Sequence, residues 1–210
     1  MKERFIFDLD GTLLNANFEK EDKFFESVFS KDELEMFLPN KCTLLNEYET
    51  LFPRYDVGLL SKFMRARTGV EFTEDVVTRW VQTNATFDDT LVDGVVEVLE
   101  YLKSNDKSLV ILTNWFSEGQ IARLSNAGLL QYFDDVIGGE YSLKPNRASY
   151  YRAADKYDIG SCVMIGDTYE KDVLGPRMFG MEAVYFNEKC KTNCNGEEGI
   201  KKMIKIKEMY

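Results

Sequence analysis

Near its amino terminus the chain reads Phe5-Ile6-Phe7-Asp8-Leu9-Asp10-Gly11-Thr12, an apolar stretch followed by two acids, a glycine and a threonine. The apolar residues predict a buried strand, and the acids then lie at its carboxyl end, where open α/β sheets carry their chemistry. Carboxylates in that position can act as a covalent nucleophile, a proton donor and Mg2+ ligands. Gly11 allows the backbone to turn away sharply. For these residues taken alone, a solvated acidic turn remains the alternative.

Three further fragments follow in order, each just after a segment of strand-like composition. The first is Leu109-Val110-Ile111-Leu112-Thr113-Asn114, an apolar run that ends in a hydroxyl residue. The second is Lys144-Pro145, which places a lysine in a loop before a predicted helix. The third begins as a predicted buried strand at Cys162 and delivers Asp167 and Asp172. Each fragment alone could be a helix cap or a solvated loop, and it is their order that indicates a shared site.

These motifs resemble those of the haloacid dehalogenase superfamily of aspartate-nucleophile hydrolases, in which DxDGT is followed by Thr or Ser, then Lys, then GDxxxxD. All four stand in this sequence without a gap, and the resemblance covers the chain from Phe5 to about Phe186. It implies a doubly wound, Rossmann-like parallel sheet with helices on both faces. It also implies a bound Mg2+ ion and an aspartyl-phosphate intermediate.

The resemblance assigns roles in catalysis and substrate binding to five residues. Asp8 is the expected nucleophile, whose carboxylate attacks phosphorus in line. Asp10 is the expected general acid and base, a role that needs a carboxyl able to keep its proton near neutral pH, which other acids nearby favour. Lys144 would supply positive charge to the phosphoryl oxygens and the nucleophile. The Thr113 hydroxyl and the Asn114 backbone N–H would donate hydrogen bonds to the phosphoryl group.

The resemblance also implies a set of Mg2+ ligands. Asp8 and Asp167 are the expected direct ligands, together with the backbone carbonyl of Asp10. Asp172 would act through water or by holding Lys144. The four acids would repel one another at close range if no cation compensated them.

The rest of the chain alternates between strand-like and helix-like segments. Five apolar runs predict strands, at Arg4 to Asp8, Ser108 to Thr113, Asp135 to Ile137, Cys162 to Ile165 and Glu182 to Phe186. Segments of helical period lie between them, at Val92 to Lys103, Glu118 to Ala127, Ala148 to Tyr157 and Asp172 to Phe179. Strand alternating with helix predicts an α/β fold with a doubly wound parallel sheet.

Residues 15–88 interrupt this alternation. They are rich in charges and in aromatics at helical spacing, namely Phe24, Phe25, Phe29, Phe37, Phe52, Phe63 and Trp80. Their position directly after the DxDGT motif matches the helical cap of one branch of the superfamily. We therefore expect a core domain of residues 1–14 and 89–210, and a helical cap domain of residues 15–88 that lies over the carboxylates as a lid. The aromatics are expected to form mainly the core of the cap.

Composition excludes several classes of function. The chain has no histidine, which excludes every mechanism built on imidazole. Its 26 Lys and Arg against 36 Asp and Glu give a formal net charge of −10, which disfavours nonspecific binding to nucleic acid or anionic membranes. We see no signal peptide and no apolar run near the roughly 20 residues that span a bilayer, and expect a cytoplasmic protein, monomer or homodimer.

The four cysteines are Cys42, Cys162, Cys190 and Cys194. We expect reduced thiols, with Cys162 in a buried strand. The spacing of Cys190 and Cys194 invites a metal or disulfide interpretation, but no further ligand lies nearby in the sequence, and a surface loop is the simpler prediction.

Asp10 also separates reaction types within the superfamily. Branches that resemble dehalogenases or phosphonate hydrolases usually lack a carboxylate at that position. The sequence therefore predicts a Mg2+-dependent phosphatase acting on a small phosphorylated metabolite. A phosphomutase stays open, although those that resemble β-phosphoglucomutase use a cap histidine. A catalytically silent regulatory relative that keeps the fold stays open as well.

The sequence gives weaker indications of the substrate. Trp115 and Phe116 follow the second motif directly and could stack on a base or a sugar, or pack beneath the cap. The string Thr113 to Phe116 resembles the TNG-phenylalanine stretch of some nucleoside monophosphatases, with Trp115 in place of the glycine, so a nucleotide or sugar phosphate is one hypothesis. Three cap arginines could bind a second anionic group or face water: Arg54, Arg65 and Arg67.

Overall fold

The computed structural model describes residues 2–188 and 199–210. Cys190 and Cys194 lie outside the described residues. Within the described part of the chain, no helix is both long and apolar enough to cross a bilayer.

A parallel sheet forms the centre of the molecule. The described residues contain strands β1 to β7, at Arg4–Phe7, Leu14–Asn15, Thr90–Leu91, Ser108–Leu112, Asp135–Ile137, Cys162–Gly166 and Glu182–Tyr185. Five of them form the parallel sheet in the order β5-β4-β1-β6-β7, and β2 pairs with β3 in a small antiparallel sheet. The five predicted strands are confirmed, with ends that differ by one residue at most.

The register of the central strands brings the motifs to one edge of the sheet. Phe7 at the end of β1 pairs with Ile111 on β4 and with Ile165 on β6. The next backbone N–H, that of Asp8, donates to the carbonyl of Ile165 at 2.9 Å. Because parallel strands end at the same edge, the segments that follow β1, β4 and β6 emerge side by side.

Helices cover both faces of this sheet, as the sequence predicted. Those in the described residues are α1 to α10, at Glu19–Val28, Lys31–Phe37, Lys41–Leu51, Val57–Thr68, Glu74–Asn84, Val95–Ser104, Ser117–Asn126, Arg147–Ala154, Gly175–Met178 and Ile206–Met209. Side chains alternate across each strand, so Phe5 and Phe7 pack on the side of α6 and α10 while Ile6 packs on the side of α8. The fold is therefore a doubly wound α/β sheet.

The helix predicted from Asp172 to Phe179 has a different form. A wide, π-helical turn occupies Tyr169–Leu174 and α9 follows it. In this turn the Asp172 carboxylate accepts from the Thr168 N–H at 3.0 Å, and the Gly175 N–H donates to the carbonyl of Glu170, five residues earlier. The wide turn carries Asp172 into the interior, where its side chain is fully buried. A periodicity argument does not detect this because it assumes regular helix geometry.

Helices α1 to α5, from Glu19 to Asn84, form what we call the five-helix segment. Side chains of Ser30, Asp56 and Thr73 cap the starts of α2, α4 and α5. The predicted aromatics pack together in its interior, with Phe52 partly exposed and the rest buried. The segment occupies the part of the chain for which we predict a cap, and the domain boundaries at residues 14/15 and 88/89 remain a prediction.

Candidate active site

Three carboxylates and one lysine meet at the carboxyl edge of the sheet. Asp8, Asp167 and Asp172, which we call the acid cluster, each offer an oxygen within 4.8 Å of the others. Lys144 is 2% exposed, and its Nζ donates to Asp8 Oδ1 at 2.8 Å and to Asp172 Oδ1 at 2.7 Å. Residues from three distant parts of the chain therefore share one small volume, which is the juxtaposition that the motifs predicted.

The electrostatics of the acid cluster favour more positive charge than Lys144 provides. Burial is the largest cause that raises the pKa of Asp8, Lys144 opposes it, and Asp172 and Asp167 add to it, so that the pKa lies at about 8. Burial and then Asp172 raise the pKa of Asp167 to about 6. Burial alone would lower the pKa of Lys144, but Asp172 and Asp8 outweigh burial and raise it, so the ammonium stays charged. A divalent cation would relieve the remaining repulsion between the acids.

The cluster also has the oxygen donors that a hard cation requires. Asp167 Oδ1 is buried and has no hydrogen-bond partner among the described residues. The backbone at Gly11 has φ +76° and passes so close that a Cβ there would lie 2.3 Å from Asp167 Oδ2. Carboxylate oxygens without nitrogen or sulfur ligands match the preference of Mg2+. The residues present therefore fit the ion that the sequence implied.

Asp10 departs from the expected arrangement. We expected its side chain to join the other acids, but its carboxylate pairs with a cation: Arg123 Nη2 donates to Asp10 Oδ1 at 2.6 Å. Gln120 Nε2 donates to Asp10 Oδ2 at 3.0 Å. The buried Arg123 also donates through Nε to Asp89 at 2.6 Å. Asp10 therefore pairs with side chains of α7 and is not one of the three acids of the cluster, although it lines the same cavity.

The two predicted substrate-binding residues are held by different contacts. Thr113 Oγ1 accepts from Gln120 Nε2 at 3.0 Å and from the Trp115 N–H at 3.3 Å, which leaves the hydroxyl proton to be donated elsewhere. Asn114 Oδ1 accepts from the Lys144 N–H at 2.7 Å, and its Nδ2 donates to the Lys144 carbonyl at 3.0 Å. Asn114 thus fixes the loop that carries the lysine.

Sequence reasoning missed four polar residues of the site. Gln120 and Arg123 lie three residues apart on α7, so they share its buried inner face. Two polar residues at this spacing on the apolar face of a predicted helix are the sequence signal that could have identified them. Glu49 on α3 accepts from Lys171 Nζ at 2.5 Å and from Asn114 Nδ2 at 2.9 Å. Lys171 lies inside the last motif, but nothing local to Glu49 marks it, because its partners come from the other part of the molecule.

A cavity of about 230 Å3 opens over these residues. Its walls include six predicted site residues: Asp8, Asp10, Thr113, Asn114, Lys144 and Asp167. Asp172, fully buried, lies behind Lys144 and is not on the wall. The five-helix segment contributes Leu45, Glu49 and the adjoining Tyr55 from above.

Of the residues that we considered for substrate specificity, Trp115 lines the cavity and the three arginines do not. Trp115 lines the cavity and also packs against Tyr55 and Trp80, with ring centroids 5.2 and 5.1 Å apart, so it lies beneath the five-helix segment. Arg65 pairs with Glu71 and Arg67 with Glu47 on the surface. Neither these arginines nor Arg54 are among the described residues that line the cavity.

The sequence of the chain is similar to those of known hydrolases. The model of the haloacid dehalogenase-like hydrolase family matches residues 3–180. The pyrimidine 5'-nucleotidase YjjG of Escherichia coli is 36% identical over 103 residues, which are 47% of this chain and 45% of that protein. The pyrophosphatase PpaX of Halalkalibacterium halodurans is 27% identical over 186 residues, which are 84% of this chain and 80% of that protein. The chain thus spans less than half the length of the first relative.

Among solved structures, the HAD-hydrolase YfnB from Bacillus subtilis bound to magnesium superposes with a TM-score of 0.74. The alignment covers 100% of this chain and 99% of YfnB at 20% sequence identity. At that identity the likeness concerns the fold, and it extends over both the sheet and the five-helix segment.

Proposed function

The chain belongs to the haloacid dehalogenase-like hydrolase family, and from that premise we propose that it is a Mg2+-dependent phosphatase of small phosphomonoesters that reacts through an aspartyl phosphate on Asp8. One observation carries the proposal. Lys144 bridges Asp8 and Asp172 while Asp8 still lines an open cavity, so a nucleophile and its compensating charge are available to a substrate together.

In the first step the Asp8 carboxylate attacks phosphorus and the bond to the ester oxygen breaks. Lys144 stabilises the charge on the phosphoryl oxygens, and the Thr113 hydroxyl and Asn114 N–H are the proposed donors to the same group. Asp10 gives its proton to the departing alkoxide.

In the second step Asp10 takes a proton from water, which attacks the aspartyl phosphate and releases Asp8 and inorganic phosphate. Arg123 and Gln120 hold the two oxygens of Asp10 in place, as their hydrogen bonds indicate. Asp8 and Asp167, with the Asp10 carbonyl, are the proposed ligands of Mg2+, and Asp172 supports them through Lys144. When bound, the ion supplies positive charge to the phosphoryl group and lowers the repulsion between the acids.

The proposed substrate is a small phosphorylated metabolite. The relatives are named for a nucleotide and for pyrophosphate, so their names agree on a phosphate bond and differ in the leaving group. The 230 Å3 cavity accommodates a phosphoryl group and the first atoms of the leaving group. The helices of the predicted cap would exclude water from it when a substrate binds.

The test is phosphate release from p-nitrophenyl phosphate, acetyl phosphate and a panel of metabolite phosphomonoesters. We expect Mg2+-dependent turnover that chelator abolishes and that Asp8→Asn reduces by at least about a thousandfold. Asp75→Asn, at an exposed acid paired with Arg79 on α5, is the matched control and should keep full activity. Turnover in Asp8→Asn equal to that of the unsubstituted protein would refute the nucleophile, and full turnover in chelator would refute the metal.

A further inference from the structure

A second cavity adjoins the catalytic one and is not used by the steps above. It measures about 410 Å3, and its walls share Asp10, Leu45 and Trp115 with the catalytic cavity. Lys144, which would contact the phosphoryl group, and Asp167, a proposed Mg2+ ligand, lie on the catalytic cavity and not on this one. Asp10 is the proposed acid for the departing oxygen, so the second cavity lies on the side of the leaving group. We call it the side cavity.

Four aromatic side chains lie on the walls of the side cavity. Trp80 and Trp115 stand with ring centroids 5.1 Å apart at 56°, and Phe18 and Phe87 meet edge to face at 5.6 Å. Rings in this arrangement offer both faces and edges to a flat guest. The volume falls in the range of about 300–1,000 Å3 that small-molecule sites occupy.

Two side chains on these walls, Trp115 and Asn84, each carry a buried polar atom that has no partner among the described residues and lies beneath the surface of the wall. The atoms are the donor Trp115 Nε1 and the acceptor Asn84 Oδ1. Asn84 is 4% exposed, and its Nδ2 donates to Glu21 Oε2 at 2.9 Å. A carboxylate oxygen accepts and cannot donate, so this contact fixes which way the amide faces and leaves Oδ1 unpaired. Buried polar atoms are rarely left in this state, and a ligand that pairs with both would remove the cost.

The charges around the side cavity disfavour an anionic guest. Lys41 pairs with Glu21, and Arg123 is shared between Asp10 and Asp89, so both cations on the wall already hold carboxylates. A second phosphate or carboxylate on the substrate would gain no uncommitted cation there and would approach the wall acids.

We propose that the side cavity binds a neutral heteroaromatic ring of the nucleobase class, which makes a nucleoside monophosphate the substrate class. When the Asn84 and Trp115 side chains shift toward the guest, a ring N–H donates to Asn84 Oδ1, a ring carbonyl or nitrogen accepts from Trp115 Nε1, and the aromatic walls contact the faces of the ring. This inference rests on the proposed phosphatase function and adds the identity of the leaving group.

The test compares esters that differ only in the ring. We expect kcat/KM for at least one of uridine and adenosine 5'-monophosphate to exceed that for ribose 5-phosphate by about tenfold to a hundredfold, the range expected for burying one aromatic group. Phosphoglycolate, which carries a second anion and no ring, should rank below both nucleotides. A ratio near one for both nucleotides would overturn the proposal.

Variants test whether the preference for a nucleotide arises in the side cavity. The quantity compared is the ratio of kcat/KM for the nucleotide to kcat/KM for ribose 5-phosphate, which does not depend on how much of the protein is active. Trp115→Phe keeps an aromatic ring but removes the Nε1–H donor. It should lower this ratio for the preferred nucleotide by about threefold to tenfold. Cys42→Trp fills the side cavity from an exposed wall position and should bring the ratio close to one. Met36→Trp, exposed on α2 and off the walls, is the matched control and should keep the ratio. Unchanged ratios in both Trp115→Phe and Cys42→Trp would place the preference elsewhere and refute the side cavity.

Acetyl phosphate separates this inference from the function on which it rests. It needs the acid cluster but carries no ring. If Mg2+-dependent hydrolysis of acetyl phosphate occurs without nucleotide preference, only the side-cavity proposal fails. If no phosphate ester or acetyl phosphate is hydrolysed above the Asp8→Asn blank, the phosphatase function itself fails.

Discussion

Lys144 and Arg123 are buried cations that each join two acids. Asp8 and Asp10 belong to the same motif, but Asp8 pairs with the lysine and Asp10 with the arginine. Lys144 holds Asp8 and Asp172 with single contacts of 2.8 and 2.7 Å. Arg123 uses separate nitrogens for Asp10 and Asp89, at 2.6 Å each. A lysine ammonium acts as a point charge, whereas the planar guanidinium orients its partners.

The acids that Lys144 holds are also more buried than Asp10, which Arg123 holds. Asp172 is fully buried and the Asp8 side chain is 12% exposed, whereas the Asp10 side chain is 41% exposed. In the proposed mechanism, the lysine site would compensate charge where the chemistry occurs, and the arginine site would position the proton carrier at the edge of the cavity. If this comparison holds, loss of Lys144 should harm every substrate, and loss of Arg123 should harm mainly those that need their leaving group protonated.

Among the variants that compare the two sites, Lys144→Met is expected to have the largest effect. Loss of the ammonium removes stabilisation of the phosphoryl oxygens, so kcat should fall by about a hundredfold to a thousandfold for all substrates. It also leaves two buried acids without their cation, which should lower the free energy of unfolding by about 3–5 kcal/mol. Steady-state kinetics and denaturant unfolding measure both. Lys156→Met, at an exposed lysine, is the control, and wild-type kcat in Lys144→Met would refute the assigned role.

Arg123→Lys tests whether geometry matters beyond charge. The lysine keeps the charge but loses the fork that fixes Asp10, so we expect kcat on alkyl phosphates to fall by about tenfold to a hundredfold. Acetyl phosphate and p-nitrophenyl phosphate have leaving groups that depart without protonation and should fall much less. Equal losses on both kinds of substrate would show that Arg123 contributes charge or stability and does not position the acid.

Asp89→Asn weakens the contact that holds Arg123 on the side opposite Asp10. The amide oxygen can still accept from Arg123, but the charge that holds the guanidinium is lost. We expect a loss of kcat of about threefold to tenfold on alkyl phosphates, with the same leaving-group dependence, and a decrease in unfolding free energy of about 1–3 kcal/mol. Asp88→Asn, at the neighbouring exposed acid paired with Lys20, is the control.

The smallest effect concerns stability against pH in the acid cluster. Asp8 and Asp167 have pKa values raised to about 8 and about 6, so in chelator the folded state binds protons that the unfolded state does not. Because an Asp carboxyl ordinarily has a pKa of 3.8, their contribution to stability is fully present below about pH 4 and is lost progressively as the pH rises to about 8. Mg2+ must displace these protons, so its addition should raise Tm by a few degrees, and more at pH 8 than at pH 6.

Thermal unfolding at the two pH values, with Mg2+ and with chelator, measures this difference. Asp167→Asn should remove most of the Mg2+ effect, whereas Asp89→Asn at the arginine site should keep it. An equal Mg2+ effect at both pH values would show that the bound protons and the ion do not compete for the same oxygens.

The amino-acid sequence by itself determined the sheet and the edge at which the site lies. Continuous apolar runs such as Leu109 to Leu112 are typical of strands buried on both faces, and parallel strands bring the residues after them together. Together with the order of the motifs and their resemblance to those of the superfamily, these strands predicted that Asp8, Lys144 and Asp167 lie beside one another. It predicted the aromatic interior of the five-helix segment for a similar reason, since helical spacing shows which side chains share a face.

Only the tertiary structure decided the partners of those residues. The pairing of Asp10 with Arg123, the bridge from Glu49 to Lys171 and the walls of the side cavity join side chains from distant parts of the chain. Local patterns report the period of an element and the face it buries. Whether a given charge is buried, and against which partner, depends on how the five-helix segment packs on the sheet, because the energy of a buried charge is set by all of its neighbours together.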